Sequence, residues 1–422
     1  MRKWRLARCV VLGLYKTAYS HVCITGLLFS WQLDLFSLRI SKAFGVPRNN
    51  CPLRNIIESA KFLRHLTSMA DTTSEHIAAT RAELEAMEQV SLKELGPCPP
   101  DLEESILEIP LKDGFISHTI LVRPVAKSLP LTSGANVVAT RCPLIVLTHG
   151  GSFTYCSPNN VLSPARACAS HFNAIVACIE YKLSPEYRFP AAPQSAWEVI
   201  AWLSEPSNLN EGILKPEGLE FDPRLGFVLG GMSAGANITA VIAGIDSAAK
   251  AGGHDELVQG LPEIASSITG LFITVPYMME SEAIPNQYLD MFRSHDEHAD
   301  APFLNAKSLE DISMIYKQDV RSPWFSPLNL DLAKIQKQHP GKVYVQCGQL
   351  DILRDDAVIY ERVIRDRGLA ETKMDVLQGH DHACWCNLPL PQAHTTEVKE
   401  RTMDGMSWLV GMDWDKSRPL SH

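Results

Sequence analysis

From about residue 105 the chain alternates short apolar runs rich in β-branched residues with longer stretches whose apolar positions recur every three to four residues. SILEIPL (105–111) and HTILVRPV (118–125) read as two strands joined by a turn at Lys112-Asp113-Gly114. PLIVLTH (143–149), AIVACIEY (174–181), LGFVLGGMS (225–233), SSITGLFITV (266–275), KVYVQCGQL (342–350) and TKMDVLQG (372–379) read as six more. AAPQSAWEVIAWL (191–203) and ANITAVIAGIDSAAKA (236–251) have helical periodicity. The order predicts an α/β fold: a mostly parallel central sheet with helices on both faces and an antiparallel pair at its N-terminal edge. Right-handed crossovers then line the strand ends, and the loops after them, along one rim.

Two regions depart from this alternation. Helical spacing is read over Asn55–Met69 and over Ser74–Leu95, where Ile77, Leu84 and Met87 recur among charges until GPCPP (96–100) breaks the helix. Between residues 278 and 340 no strong strand pattern occurs, yet Tyr288, Phe292 and Trp324 need a surface to bury against, as do Phe62 and Leu66. Both regions are therefore expected to form a helical cap over the rim. The expected division is an N-terminal segment (1–50), cap helices (51–100), a core in two parts (101–277 and 341–422) and a cap insertion (278–340). In the first segment Arg2, Lys3, Arg5 and Arg8 precede an apolar stretch from Cys9 to Trp31 that Lys16 and His21 interrupt. It lacks a small-residue cleavage site and falls short of a clean span of ~20 apolar residues. A membrane association through the N-terminus and a helix packed on the core both remain open.

A chain of 422 residues can bury one large core. Its formal net charge of −9 disfavours a nucleic-acid partner, because phosphate would add to a surface already negative. The eleven cysteines are odd in number and several lie in apolar runs, which points to free buried thiols in a reducing, cytoplasmic setting.

The chemistry concentrates in three loops. Gly231-Met232-Ser233-Ala234-Gly235 joins an apolar strand to a helix and matches G-x-S-x-G. Ser233 as nucleophile must turn sharply there, and side chains two residues to either side would strike backbone, hence the glycines. His149-Gly150-Gly151-Ser152-Phe153 follows another strand, and the amides of Gly150 and Gly151, with that of Ala234, are the expected donors to a tetrahedral oxyanion. His149 reads as a structural hydrogen-bonding residue. A nucleophilic serine needs a base and a carboxylate, in the chain order Ser, Asp/Glu, His. Asp351 follows KVYVQCGQL, with Asp355 and Asp356 as rivals read as helix N-terminal carboxylates. His382 follows TKMDVLQG, with His380 as rival. His380, His382, Cys384 and Cys386 also alternate in a way that invites zinc, but ligand pairs usually stand two to four residues apart, so no metal is expected. Asn237-Ile238-Thr239 matches a glycosylation acceptor but lies in the helix behind the nucleophile.

Together these segments resemble the hormone-sensitive-lipase-like family of α/β hydrolases. HGGSF and GMSAGAN match its two signatures, YKLSPEYRFPAA (181–192) and SPWFSPL (322–328) are similar to its connecting segments, and DILRD and GHDH match its acid and histidine boxes. The resemblance spans roughly residues 105–412. It implies an α/β-hydrolase fold, Asp351 and His382 as the partners of Ser233, a small-molecule ester substrate and no cofactor. Ser152, Met232 and Ala236 stand where a third glycine, an acid and a glycine are frequent. The implied activity is a carboxylesterase working through an acyl-enzyme, and the long cap suggests a specialised substrate such as a secondary metabolite. Acyl transfer or lactone processing on the same fold stays open. So does non-catalytic small-molecule binding, although non-catalytic binding in this family goes with loss of the histidine, which is present here as His382.

Overall fold

The computed structural model describes residues 73–125, 139–252, 254–390 and 392–420. The expectations for residues 1–50, for the helix over Asn55–Met69 and for Phe62 and Leu66 lie outside the described residues. One sheet contains β1 (Leu102–Pro110), β2 (Ile116–Pro124), β3 (Leu144–Thr148), β4 (Ile175–Ile179), β5 (Phe227–Met232), β6 (Gly270–Thr274), β7 (Lys342–Gly348) and β8 (Glu371–Leu377). Their spatial order is β1-β2-β4-β3-β5-β6-β7-β8. β2 pairs antiparallel with both β1 and β4, and every later pairing is parallel. This is the α/β-hydrolase arrangement, with the antiparallel pair at the expected edge.

Burial explains why the strands looked different in sequence. β3, β4, β5 and β6 are buried at every position, so both faces must be apolar and no alternation survives. β1 is an edge strand with a mixed face, and it carries Glu103, Glu104 and Glu108. The covering helices are α1 (Ser74–Leu95), α2 (Leu162–Phe172), α3 (Ala191–Ser204), α4 (Ala234–Ala251), α5 (Ala306–Tyr316), α6 (Arg354–Asp366) and α7 (Thr396–Val410). α1 starts where Thr73 Oγ1 accepts from the His76 amide at 3.3 Å. It stops at Gly96 (φ 77°), whose amide returns to Leu92 O. α2 has no counterpart in the sequence reading. Nine of its eleven residues are buried, the polar Ser163 and Arg166 among them, so its polar positions do not mark a solvent face. A short parallel ribbon of Thr140–Cys142 with Leu219–Phe221 was likewise unmarked.

Between β6 and β7 the described chain forms short helical turns around α5 and no strand. Tyr288 and Trp324 are buried, as their size demanded, and Phe292 packs partly buried against the core. Tyr316 of α5 stacks on Phe153 with ring centroids 4.0 Å apart, and Trp324 meets Trp197 edge-on at 6.0 Å. These contacts seat the insertion on the loop after β3 and on α3. The described cysteines are free thiols. Among the described residues no helix is long and apolar enough to cross a membrane.

Candidate active site

Ser233 stands between the end of β5 and the start of α4 with φ 53° and ψ −119°, a conformation that costs a non-glycine residue of order 1–3 kcal/mol. Its amide is held by Thr274 O at 3.0 Å. The two flanking glycines are sterically required. A Cβ on Gly231 would fall on the Gly235 carbonyl, and one on Gly235 would fall on the carbonyls of Thr148 and His149. The turn can be this tight only because β3, β5 and α4 meet backbone to backbone.

Ser233 Oγ lies 3.0 Å from His382 Nε2. His382 Nδ1 lies 2.9 Å from Asp351 Oδ2 and 3.1 Å from Oδ1. Asp351 is fully buried, and its Oδ1 also accepts from the Leu353 amide at 2.9 Å. With the carboxylate accepting at Nδ1–H, the neutral imidazole presents the Nε2 lone pair to the hydroxyl. Such a line lets the imidazole take the hydroxyl proton while the carboxylate stabilises the resulting cation. The loops carrying the two partners are zipped together: Gln349 N donates to Leu377 O at 2.9 Å, and Leu350 N to His380 O at 2.8 Å. A Cβ on Gly348 would fall on the Asp381 carbonyl, so this glycine sets how closely the loops approach. Asp381 itself is pushed up to about 6, first by burial and then by the nearby Asp351 carboxylate.

Gly150 lies against the nucleophile, where an added Cβ would come within 3.2 Å of Met232 O and 3.4 Å of Ser233 Cβ. Gly151 has φ +107°, and a Cβ there would fall on the Tyr155 carbonyl. Ala234 is the first residue of α4. Among the described residues no acceptor is paired with the amides of Gly150, Gly151 or Ala234, so all three can serve an anion beside Ser233 Oγ. Ser152 and Phe153 are also left-handed, at φ 56° and 58°. That explains why glycine is favoured at position 152 and makes Ser152 a strained substitute. The loop is tied down by Thr154 and Tyr155 amides to Gly151 O (2.9 and 2.8 Å) and by Arg81 Nε of α1 to Thr154 O (2.9 Å). His149 is buried and pulled down to about 4 by that burial. It stacks on Tyr181 at 4.3 Å and its Nδ1 contacts Gly150 O at 2.7 Å, a structural role as read from sequence.

The rivals are placed elsewhere. His380 turns to Gln378 O at 3.1 Å and Thr395 Oγ1 at 3.4 Å. Cys384 Sγ rests 3.6 Å from Met232 Sδ. Among the described residues no group of three or more His, Cys, Asp or Glu is arranged to hold a metal. Asn237 is buried and donates to Tyr277 O (2.7 Å) and Phe325 O (2.6 Å).

Asp355 and Asp356 are in the first turn of α6, but their role is larger than the helix-end carboxylates expected. Asp355 Oδ2 accepts from the amides of Arg293 and Ser294, both at 2.7 Å. Asp356 Oδ1 accepts from Met278 and Met279 at 2.8 and 2.9 Å, and its Oδ2 meets His295 Nε2 at 2.9 Å. Burial pulls the His295 imidazole down, but the Asp356 bond and charge outweigh it and hold the pKa above the usual value. Arg354 reaches Glu297 at 2.8 Å and His298 at 3.3 Å. These side chains fasten the insertion to the acid loop, and sequence reasoning missed them because the partners are 56 to 78 residues apart. Met232 is explained by its surroundings too. It lines a cavity of about 20 Å³ with Leu147, Phe272, Trp385 and Met406, where an acid would be buried without a cation.

Residues 145–386 match a family model described as alpha/beta hydrolase fold. An AB hydrolase superfamily protein of Schizosaccharomyces pombe is 26% identical over 359 residues, covering 83% of this chain and 95% of that one. The versiconal hemiacetal acetate esterase of Dothistroma septosporum is 23% identical over 269 residues, covering 64% of this chain and 74% of its own. A solved structure of a vibralactone cyclase superposes with TM-score 0.63 and 24% identity, over 79% of this chain and 89% of that one, a likeness of fold.

Proposed function

The chain belongs to the hormone-sensitive-lipase-like branch of the α/β hydrolases, a family of carboxylic ester hydrolases, and from that premise we propose that it cleaves its ester through an acyl-enzyme on Ser233. In this reading Ser233 Oγ attacks the ester carbonyl carbon as His382 Nε2 takes its proton. The carbonyl π electrons move onto oxygen, and the amides of Gly150, Gly151 and Ala234 stabilise that oxyanion. Collapse breaks the bond to the leaving oxygen, which receives the proton from His382 and departs as the alcohol. Water then attacks the acyl-enzyme with His382 again as base, releasing the acid and restoring the Ser233 hydroxyl. Asp351 orients the imidazole and stabilises it while charged.

The observation that supports this reading is the line Asp351–His382–Ser233, with contacts of 2.9 and 3.0 Å, ending beside three amides free to donate. The relative named for versiconal hemiacetal acetate supports an acetyl group as the acyl part of the ester. A phosphonate serine probe together with p-nitrophenyl acetate tests the mechanism. Ser233→Ala is expected to lose labelling and to lower kcat by about 10⁴–10⁶-fold. Equal labelling and turnover in wild type and variant would overturn it. Product mass spectrometry across esters, lactones and thioesters separates hydrolysis from acyl transfer.

A further inference from the structure

The insertion also reaches the imidazole. The Phe303 ring lies over His382 with centroids 6.0 Å apart and planes 22° from parallel. Phe303 sits in a loop closed by Ala301 N to His298 O (2.9 Å) and Ala306 N to Ala299 O (3.0 Å). The stem of that loop is the segment bound to Arg354 and Asp355, three and four residues beyond Asp351. Its far end is fixed by Asn305, which caps α5 by accepting from Ser308 N at 3.0 Å. One anchored loop thus joins the carboxylate side of the site to the histidine.

Position determines consequence. His382 Nε2 is the atom that hands a proton to the leaving oxygen, so whatever covers the imidazole meets the alcohol part of the ester. A flat apolar ring there offers an aryl or other planar apolar alcohol a surface to pack against and offers a small aliphatic alcohol little.

Resting on the esterase reading above, we propose that Phe303 is the specificity-determining residue for the alcohol side, selecting esters of planar, aromatic alcohols by packing them beside His382. The test compares 2-naphthylmethyl acetate with ethyl acetate, both esters of primary alcohols, in wild type, Phe303→Leu and Phe303→Ala. Wild type is expected to favour the naphthylmethyl ester in kcat/KM. Phe303→Ala is expected to lose about tenfold or more of that preference while ethyl acetate turnover changes less than about threefold, and Phe303→Leu to fall between. Should Phe303→Ala fold poorly, Phe303→Leu alone decides the matter through the same ratio. An unchanged preference overturns the assignment of Phe303. Absence of turnover and of probe labelling in wild type overturns the esterase reading itself.

Discussion

The elbow around Ser233 and the junction between the acid loop and the insertion border the same reacting atoms but are built by opposite means. The elbow contains no charged side chain. Its geometry is held by backbone contact at Gly231, Gly235 and Gly150, where there is no room for a Cβ, and by the apolar packing of Met232. The junction is a mesh of Asp355, Asp356, Arg354, Ser294 and His295, in which buried carboxylates gather amides of the insertion. Hard-sphere contact between backbones admits one arrangement. Carboxylate-to-amide bonds can open and re-form as a unit. The difference implies that the nucleophile is preset whatever the insertion does, whereas the placement of the insertion depends on a few side chains.

The sharpest break of that contrast is at the elbow. Gly235→Ala forces the new methyl into the Thr148 and His149 carbonyls, so either β3 or the turn must shift. A displacement of about 1 Å at a reacting atom can cost on the order of 10²-fold, and kcat is expected to fall at least that far together with probe labelling. A variant that labels at the wild-type rate would show the elbow to be more compliant than its contacts allow.

Next in size is the junction. Asp356→Ala strands two buried amides and the His295 imidazole, and removing one member of a buried pair costs about 3–5 kcal/mol. Thermal melts should show that loss. If the elbow is independent, phosphonate labelling of Ser233 persists below the melt while KM rises. Loss of labelling in step with Gly235→Ala would erase the distinction between the two regions.

The smallest effect concerns α1, which packs beside the oxyanion loop through a buried carboxyl. Glu88 Oε2 accepts from Ser157 Oγ at 2.6 Å. Burial, opposed by the bonds from Ser157 and Asn159 and reinforced by Glu85, pushes it up from 4.5 to about 7. The folded chain therefore holds a proton that the unfolded chain releases. The cost is absent below pH 4.5, grows as pH rises to about 7 and is complete above it. Glu88→Gln keeps the bond to Ser157 without the charge. It should raise Tm by several degrees at pH 8, equivalent to at most about 3 kcal/mol, and leave it unchanged at pH 4.5. A gain of equal size at both pH values would mean that ionisation is not its source.

Much of this was legible in the chain because it concerns local backbone demands. The β-branched runs that became β3, β4, β5 and β6 and the glycines around Ser233 each follow from constraints that act within a few residues, and the order Ser, Asp, His follows from the order of the strands that carry them. Residue order left His380 beside His382 and Asp355 and Asp356 beside Asp351, and resemblance to a family was needed to choose. Tertiary structure separated them by where each side chain could reach: His380 to Thr395, Asp355 and Asp356 across to an insertion about sixty residues away, His382 to Ser233. It alone put Phe303 over the imidazole and surrounded Met232 with apolar side chains. Periodicity and glycine placement record what a residue's own backbone and neighbours require. Partners brought together across the sheet leave no such mark, because many side chains could satisfy the same distant amide or cover the same ring.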